Sequence, residues 1–267
     1  MPTKKKTKLH SLIQEADYSY YKYSDLCEAL TESDYTSLAI GDYIRLKRTN
    51  YPNKVVLLRH DVDRLPSLAL KFAALEHAFG IRATYYFRTH PASFNAPIIK
   101  EISNLGHEIG YHYETLSDTK GDKELAAELF AKNIQKLRNL VPIETAAMHG
   151  RPLSRWDNRL IWELKSLEEF DLIGEVYQSL DYKIIDYFSD TGRTWHPFRY
   201  NVRDLTNQES RIILETTDDL IAHIRTGRSG QLCILTHPER WPQHTAHWLI
   251  QSCADITVNL IKSILSK

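Results

Sequence analysis

From about residue 54 the apolar positions fall into two alternating rhythms. Val55-Val56-Leu57-Leu58 is an unbroken apolar run that ends in charge at Asp61, which predicts a buried parallel strand. Leu68, Phe72, Leu75 and Phe79 then recur at helical spacing, and Gly80 sits where that helix would stop. Ala83 to Phe87 reads as a second strand. Asn95 and Pro97 open a helix carrying Ile98, Ile102 and Leu105, closed by Gly106. A third strand is predicted over His107 to Tyr113. Asp122 is placed to cap a helix with Ala126, Phe130, Ile134 and Leu137 inward. Thr145 to Met148 gives a fourth strand. The second half is less regular: a helix over Trp156 to Lys165, strands over Leu172 to Tyr177 and Tyr182 to Phe188, a helix over Asp218 to Ile224, and a strong buried strand over Gln231 to Leu235. A last helix uses Leu249, Cys253, Ile256, Leu260 and Ile264. Repeated strand–helix units predict an α/β fold on a parallel sheet. Residues 1–50 are Tyr-rich and polar, with a helical stretch near Ser24 to Leu30. They read as an N-terminal extension packed on a barrel of residues 51–267.

Composition narrows the class of partner. The chain has 267 residues, and its 34 Lys and Arg balance its 34 Asp and Glu, so nothing points to nucleic acid. No stretch approaches the roughly 18 apolar residues of a membrane span. Lys4, Lys5 and Lys6 have no apolar run behind them, so no export signal is read and a cytoplasmic location is expected. Cys27, Cys233 and Cys253 are scattered and odd in number. They fit buried thiols in a reducing compartment rather than a disulfide framework.

The chemistry lies at strand ends. The first strand finishes in His60, Asp61 and Asp63, the third in His112 and Glu114, the fourth in His149 and Arg151, and the late one in His237. In an α/β barrel such ends converge on one mouth, where active sites are built. Asp-x-Asp on an extended chain puts both carboxylates on one side, where they repel unless a cation intervenes. Carboxylate with imidazole suits zinc or another first-row divalent ion. Such an ion activates water, and a second carboxylate can take the proton. A histidine across the pocket can then protonate a leaving amine. Among the remaining polar residues, His60 is expected to be structural and His107 to point away from the mouth. His244 and His247 fit a solvated helix face, and Asp190 is open between turn and pocket.

Three segments carry a family resemblance: Arg59-His60-Asp61-Val62-Asp63, Gly106-His107-Glu108-Ile109-Gly110-Tyr111-His112 and Ile234-Leu235-Thr236-His237. Over about residues 54 to 240 the chain resembles the polysaccharide deacetylase family, carbohydrate esterase family four, in a divergent His-Asp-Val-Asp form. The resemblance implies a distorted (β/α)7 barrel. It implies Asp61 as catalytic base, Asp63 and His112 as metal ligands, and His237 as the group assisting departure of the amine. Arg151-Pro152 partly matches the motif whose arginine orients the base. The family's second ligand histidine falls at Leu116, which cannot bind metal. Glu114 and His149 are the candidates to replace it, and His149, ending the adjacent strand, is preferred.

The implied activity is metal-dependent hydrolysis, with zinc the expected ion, removing an N-acetyl or N-formyl group from an amino sugar or glycan precursor. Two alternatives stand beside it: a degenerate barrel that binds carbohydrate without turnover, and an amidohydrolase acting on a non-sugar amide.

Overall fold

The computed structural model describes residues 12–46, 50–151, 154–197, 199–200, 206–208 and 212–265, with side chains to residue 260. Eight strands form one all-parallel sheet: β1 (Thr36–Leu38), β2 (Val55–Val62), β3 (Thr84–Phe87), β4 (Glu108–Tyr113), β5 (Thr145–Met148), β6 (Gly174–Glu175), β7 (Asp186–Ser189) and β8 (Gln231–Thr236). Seven of them follow the order β6-β5-β4-β3-β2-β8-β7. The sheet curls into a distorted (β/α)7 barrel, left open between β6 and β7, which are not paired among the described residues.

Every residue of β2 is buried, as its apolar run requires. One edge of β2 pairs with β8 along Val55 to His60. The other edge is shared. Thr36 to Leu38 pair with Val55 to Leu57, and β3 takes over from Arg59. Residues before 50 therefore contribute a strand to the sheet as well as the helices α1 (Tyr20–Thr31) and α2 (Ile40–Arg45). Tyr23 of α1 stacks on Phe72 of α3 (Pro66–Ala78), with ring centroids 3.8 Å apart.

The remaining connections are α4 (Ala96–Asn104), α5 (Thr115–Asp118), α6 (Lys123–Arg138), α7 (Val176–Ser179), α8 (Thr217–Thr226) and α9 (Thr245–Leu265). Asn95 and Asp122 cap α4 and α6 by accepting from Ile98 N and Leu125 N. Strand parity sorts the side chains into two cores. Val55, Leu57, Tyr86, Ala147, Cys233 and Leu235 fill the barrel interior. Val56, Leu58, Val62, Tyr85, Ile109 and Tyr111 pack outward against the helices. Gly110 is required where it stands: a Cβ there would lie 2.2 Å from the Tyr86 ring that fills the interior.

Three sequence expectations change. Trp156 to Lys165 does not form an α-helix; a 3-10 helix covers Asn158–Glu163. The strand expected over Leu172 to Tyr177 shrinks to Gly174–Glu175, because the Glu175 carboxylate accepts from Tyr177 N and Gln178 N and starts a helical turn. The strand expected from Tyr182 begins at Asp186. Pro152 and the Met1 to Lys8 segment lie outside the described residues.

Candidate active site

Inward parity at the C-terminal strand ends builds the site. Asp61 and Asp63 continue the interior face of Val55 and Leu57, His112 that of Gly110, His149 that of Ala147, and His237 that of Leu235. His60, one residue out of step, faces the helices instead. Its Nδ1 lies 2.7 Å from Thr236 Oγ1 and its Nε2 2.7 Å from Glu76 Oε1. Glu76 also accepts from Tyr23 and Tyr85. His107 is likewise outward. Its Nδ1 accepts from Ala83 N, and its Nε2 donates to Ala73 O at 2.9 Å. Both histidines tie the sheet to α3, through Glu76 and Ala73 O.

Asp63, His112 and His149 each bring one ligand atom to a common point, and these atoms lie within 4.8 Å of one another. Both imidazoles are oriented from behind. His112 Nδ1 lies 3.0 Å from Ala147 O, which can only accept, so Nδ1 carries the hydrogen and Nε2 presents its lone pair. That Nε2 is 3.5 Å from Asp63 Oδ1. His149 Nδ1 meets Glu114 Oε2 at 2.9 Å, and its Nε2 is 3.4 Å from the same Asp63 oxygen. Asp63 Oδ1 is buried and has no hydrogen-bond partner among the described residues. An orphaned carboxylate oxygen facing two imidazole Nε2 atoms fits a divalent cation bound by mixed oxygen and nitrogen donors. Burial works to raise the Asp63 carboxyl, but His149 and His112 hold it well below the usual range.

Glu114 shares the inward face, yet its oxygens are committed elsewhere. Oε1 accepts from Arg88 Nε at 2.8 Å, and Oε2 faces His149. Burial opposes its charge, but His149 and Arg88 bring it down to about 2. Burial works to lower His149, but Asp63 and then Glu114 raise it to about 10. Leu116 is buried in the outer core, so the imidazole that joins Asp63 and His112 comes from the neighbouring strand.

Asp61 lies beside this cluster, its Oδ2 3.4 Å from His112 Nε2. The guanidinium expected to orient it was that of Arg151. Arg151 instead bonds Asp118 at the surface. The fork that grips Asp61 belongs to Arg59, two residues earlier on the same face of β2: Nε to Oδ1 at 2.8 Å and Nη2 to Oδ2 at 2.7 Å. Against the effect of burial, Arg59, His112 and His237 lower the Asp61 carboxyl. His237 is held by Asp190, which follows β7. Its Nδ1 lies 2.6 Å from Asp190 Oδ1, while Asp190 Oδ2 accepts from His237 N and Trp241 Nε1. Burial would lower His237, but the Asp190 carboxylate raises it. Glu239, buried one turn beyond, has an Oε2 without a hydrogen-bond partner among the described residues. Burial and the neighbouring Asp63 push it up to about 7. His244, just before α9, and His247, within it, are exposed, with their rings 6.1 Å apart.

The chain resembles solved carbohydrate esterases of family four. A CE4 family pseudoenzyme from Bacillus anthracis aligns with TM-score 0.43 and 15% identity over 79% of this chain and 63% of its own. The Bc1960 peptidoglycan N-acetylglucosamine deacetylase aligns with TM-score 0.41 and 16% identity, covering 79% and 82% of the two chains. A family 4 carbohydrate esterase from Bacillus anthracis gives TM-score 0.38 and 11% identity, covering 87% and 84%. Against the pseudoenzyme, the chain spans less than two thirds of the partner's length. No protein-family model and no curated protein matches the sequence.

Arg59, Arg88 and Glu239 were not singled out by sequence as site residues, and Asp190, left open between turn and pocket, proves to face His237. Arg59 carried a usable signal, since it shares strand parity with Asp61. Asp190 was harder to place, because the strand before it is shorter than its apolar pattern.

Proposed function

We propose that the chain is a divalent-metal-dependent hydrolase that removes an N-acetyl or N-formyl group from an amino sugar or glycan precursor. The observation that carries this reading is the convergence of Asp63, His112 and His149 beside the separately clamped carboxylate of Asp61. Two imidazoles and a carboxylate suit zinc, the ion we assign. Bound there, the ion supplies Lewis acidity that activates water and polarises the acyl carbonyl. Asp61, held ionised by Arg59, serves as general base. His237, steadied and kept basic by Asp190, donates a proton from Nε2 to the departing amine. The sugar half of the reading rests on the motif resemblance of residues 59–63, 106–112 and 234–237.

The test is direct. Purified chain is analysed for divalent metal and assayed for acid released from a panel of N-acetyl and N-formyl amino sugars. Stoichiometric metal lost in His112→Ala, and turnover lost in Asp61→Asn, are expected. A wild-type chain without metal or turnover favours the carbohydrate-binding barrel. Turnover confined to non-sugar amides favours the other hydrolase. Turnover surviving Asp61→Asn removes Asp61 as the base.

A further inference from the structure

The C-terminal helix α9 is turned inside out. Its polar side chains face the barrel. Trp248 Nε1 donates to Asp17 O, Asn259 Nδ2 donates to Gly192 O, Arg64 Nη2 donates to Gln251 Oε1, and buried Asp255 lies 3.8 Å from Arg193. The apolar stripe points to solvent: Leu249 is 53% exposed, Ile250 68%, Ile256 66% and Leu260 62%, with Cys253 exposed among them. A surface helix on a single domain does the opposite, placing its apolar face on the core.

The spacing of the stripe is that of a seam. Leu249, Cys253, Ile256 and Leu260 are separated by four, three and four residues, the a/d repeat of helices that pair with helices. From Thr245 to Leu260 the helix has no Lys, Arg or Glu, and its one Asp is buried. The face can therefore meet a copy of itself without like-charge repulsion. Its exposed apolar area, on the order of several hundred Å², is in the range of patches that mark interaction sites. It supplies a large part of the roughly 800 Å² per partner that a stable dimer buries. Residues 1–11 do not suit the role of cover, since they hold four lysines and Leu9 as the one branched aliphatic side chain. A membrane surface is disfavoured because interfacial helices carry Lys and Arg on their polar face.

We propose that α9 is a dimerisation helix whose partner is the α9 of a second copy of this chain, with Leu249, Cys253, Ile256 and Leu260 forming the seam. The proposal is independent of the catalytic reading.

Sedimentation equilibrium of the full chain tests it, with a dimer expected. Leu249→Glu with Leu260→Glu raises the dimer Kd by more than about 100-fold. The circular dichroism spectrum of the subunit stays in place, because both residues are exposed. Cys253 gives a second readout. Paired helix axes lie about 8–10 Å apart, and Cys253 is close to the centre of the stripe, so parallel or antiparallel pairing brings the two thiols within reach of a short bis-maleimide. Cross-linked dimer in the wild type and none in Cys253→Ser is expected. A wild-type chain monomeric at about 100 μM overturns the proposal, as does a dimer indifferent to the double substitution. So does a monomer that floats with phosphatidylcholine–phosphatidylglycerol vesicles.

Discussion

Replacing Glu114 by Gln separates two roles that its position allows. As a ligand, Glu114 would be as indispensable to the metal as His149. As the group behind His149, it would only orient the imidazole and raise its basicity. The geometry supports the second role, since Oε2 lies 2.9 Å from His149 Nδ1 and Oε1 is held by Arg88. Glutamine keeps the shape and an acceptor oxygen but loses the charge. A hydrogen bond to an ionised group contributes about 1.5–3 kcal/mol, and one between neutral groups about 0.5–1.5. The substitution therefore removes about 1–2 kcal/mol, or roughly 5- to 30-fold in metal affinity. That overlaps the roughly 10- to 100-fold commonly lost with a partner behind a ligand. Competition against a chromophoric chelator at fixed pH yields the Kd. His149→Ala, which removes a ligand outright, sets the larger scale. Equal losses in Glu114→Gln and His149→Ala would make Glu114 a ligand. An unchanged Kd in Glu114→Gln would show that the carboxylate does nothing for His149.

Asp190→Asn takes the charge from behind His237, and the same hydrogen-bond arithmetic gives a loss of roughly 5- to 30-fold in kcat/KM on any substrate found. KM stays near wild type; a loss confined to KM would contradict the general-acid role. Burial raises Glu175 to about 7 from the usual 4.5, so between those values the folded chain holds a proton that the unfolded chain has released. Its contribution to stability is complete below pH 4.5 and falls away as pH rises through 7, by about 3 kcal/mol. In urea titrations the stability difference between wild type and Glu175→Gln should shift by about that amount across the window, and a difference independent of pH refutes it. Tyr23→Phe deletes a donor to the buried Glu76 carboxylate and should cost about 1.5–3 kcal/mol in a single cooperative unfolding transition. A cost below about 0.5 kcal/mol, or a separate early transition for α1, would detach residues 20–31 from the barrel.

Much of the fold was legible because strand and helix periods are local properties. Val55 to Asp61, Leu68 to Gly80 and Thr145 to Met148 announce their elements through side-chain spacing alone, and the caps Asn95 and Asp122 act on backbone a few residues away. Glu175 shows where such reading stops. An apolar run predicted a strand, but one carboxylate turned back on two amide hydrogens and ended it. The α9 stripe shows the same limit on a larger scale: its periodicity announced a helix, and the sign of its exposure depended on what the polar face met across the molecule.

The site divides along the same line. Sequence by itself determined that Asp61, Asp63, His112, His149 and His237 fall at strand ends, because strand patterning is local to one stretch of chain. Only the tertiary structure decided which groups lie behind them: Glu114 and Ala147 behind the two imidazoles, Arg59 rather than Arg151 on Asp61, and Asp190 on His237. Those pairings join strands separated by tens of residues, or choose among several nearby charges by distances of an ångström or two. Coulomb and hydrogen-bond energies change steeply over such distances, while the one-dimensional order of residues does not encode them.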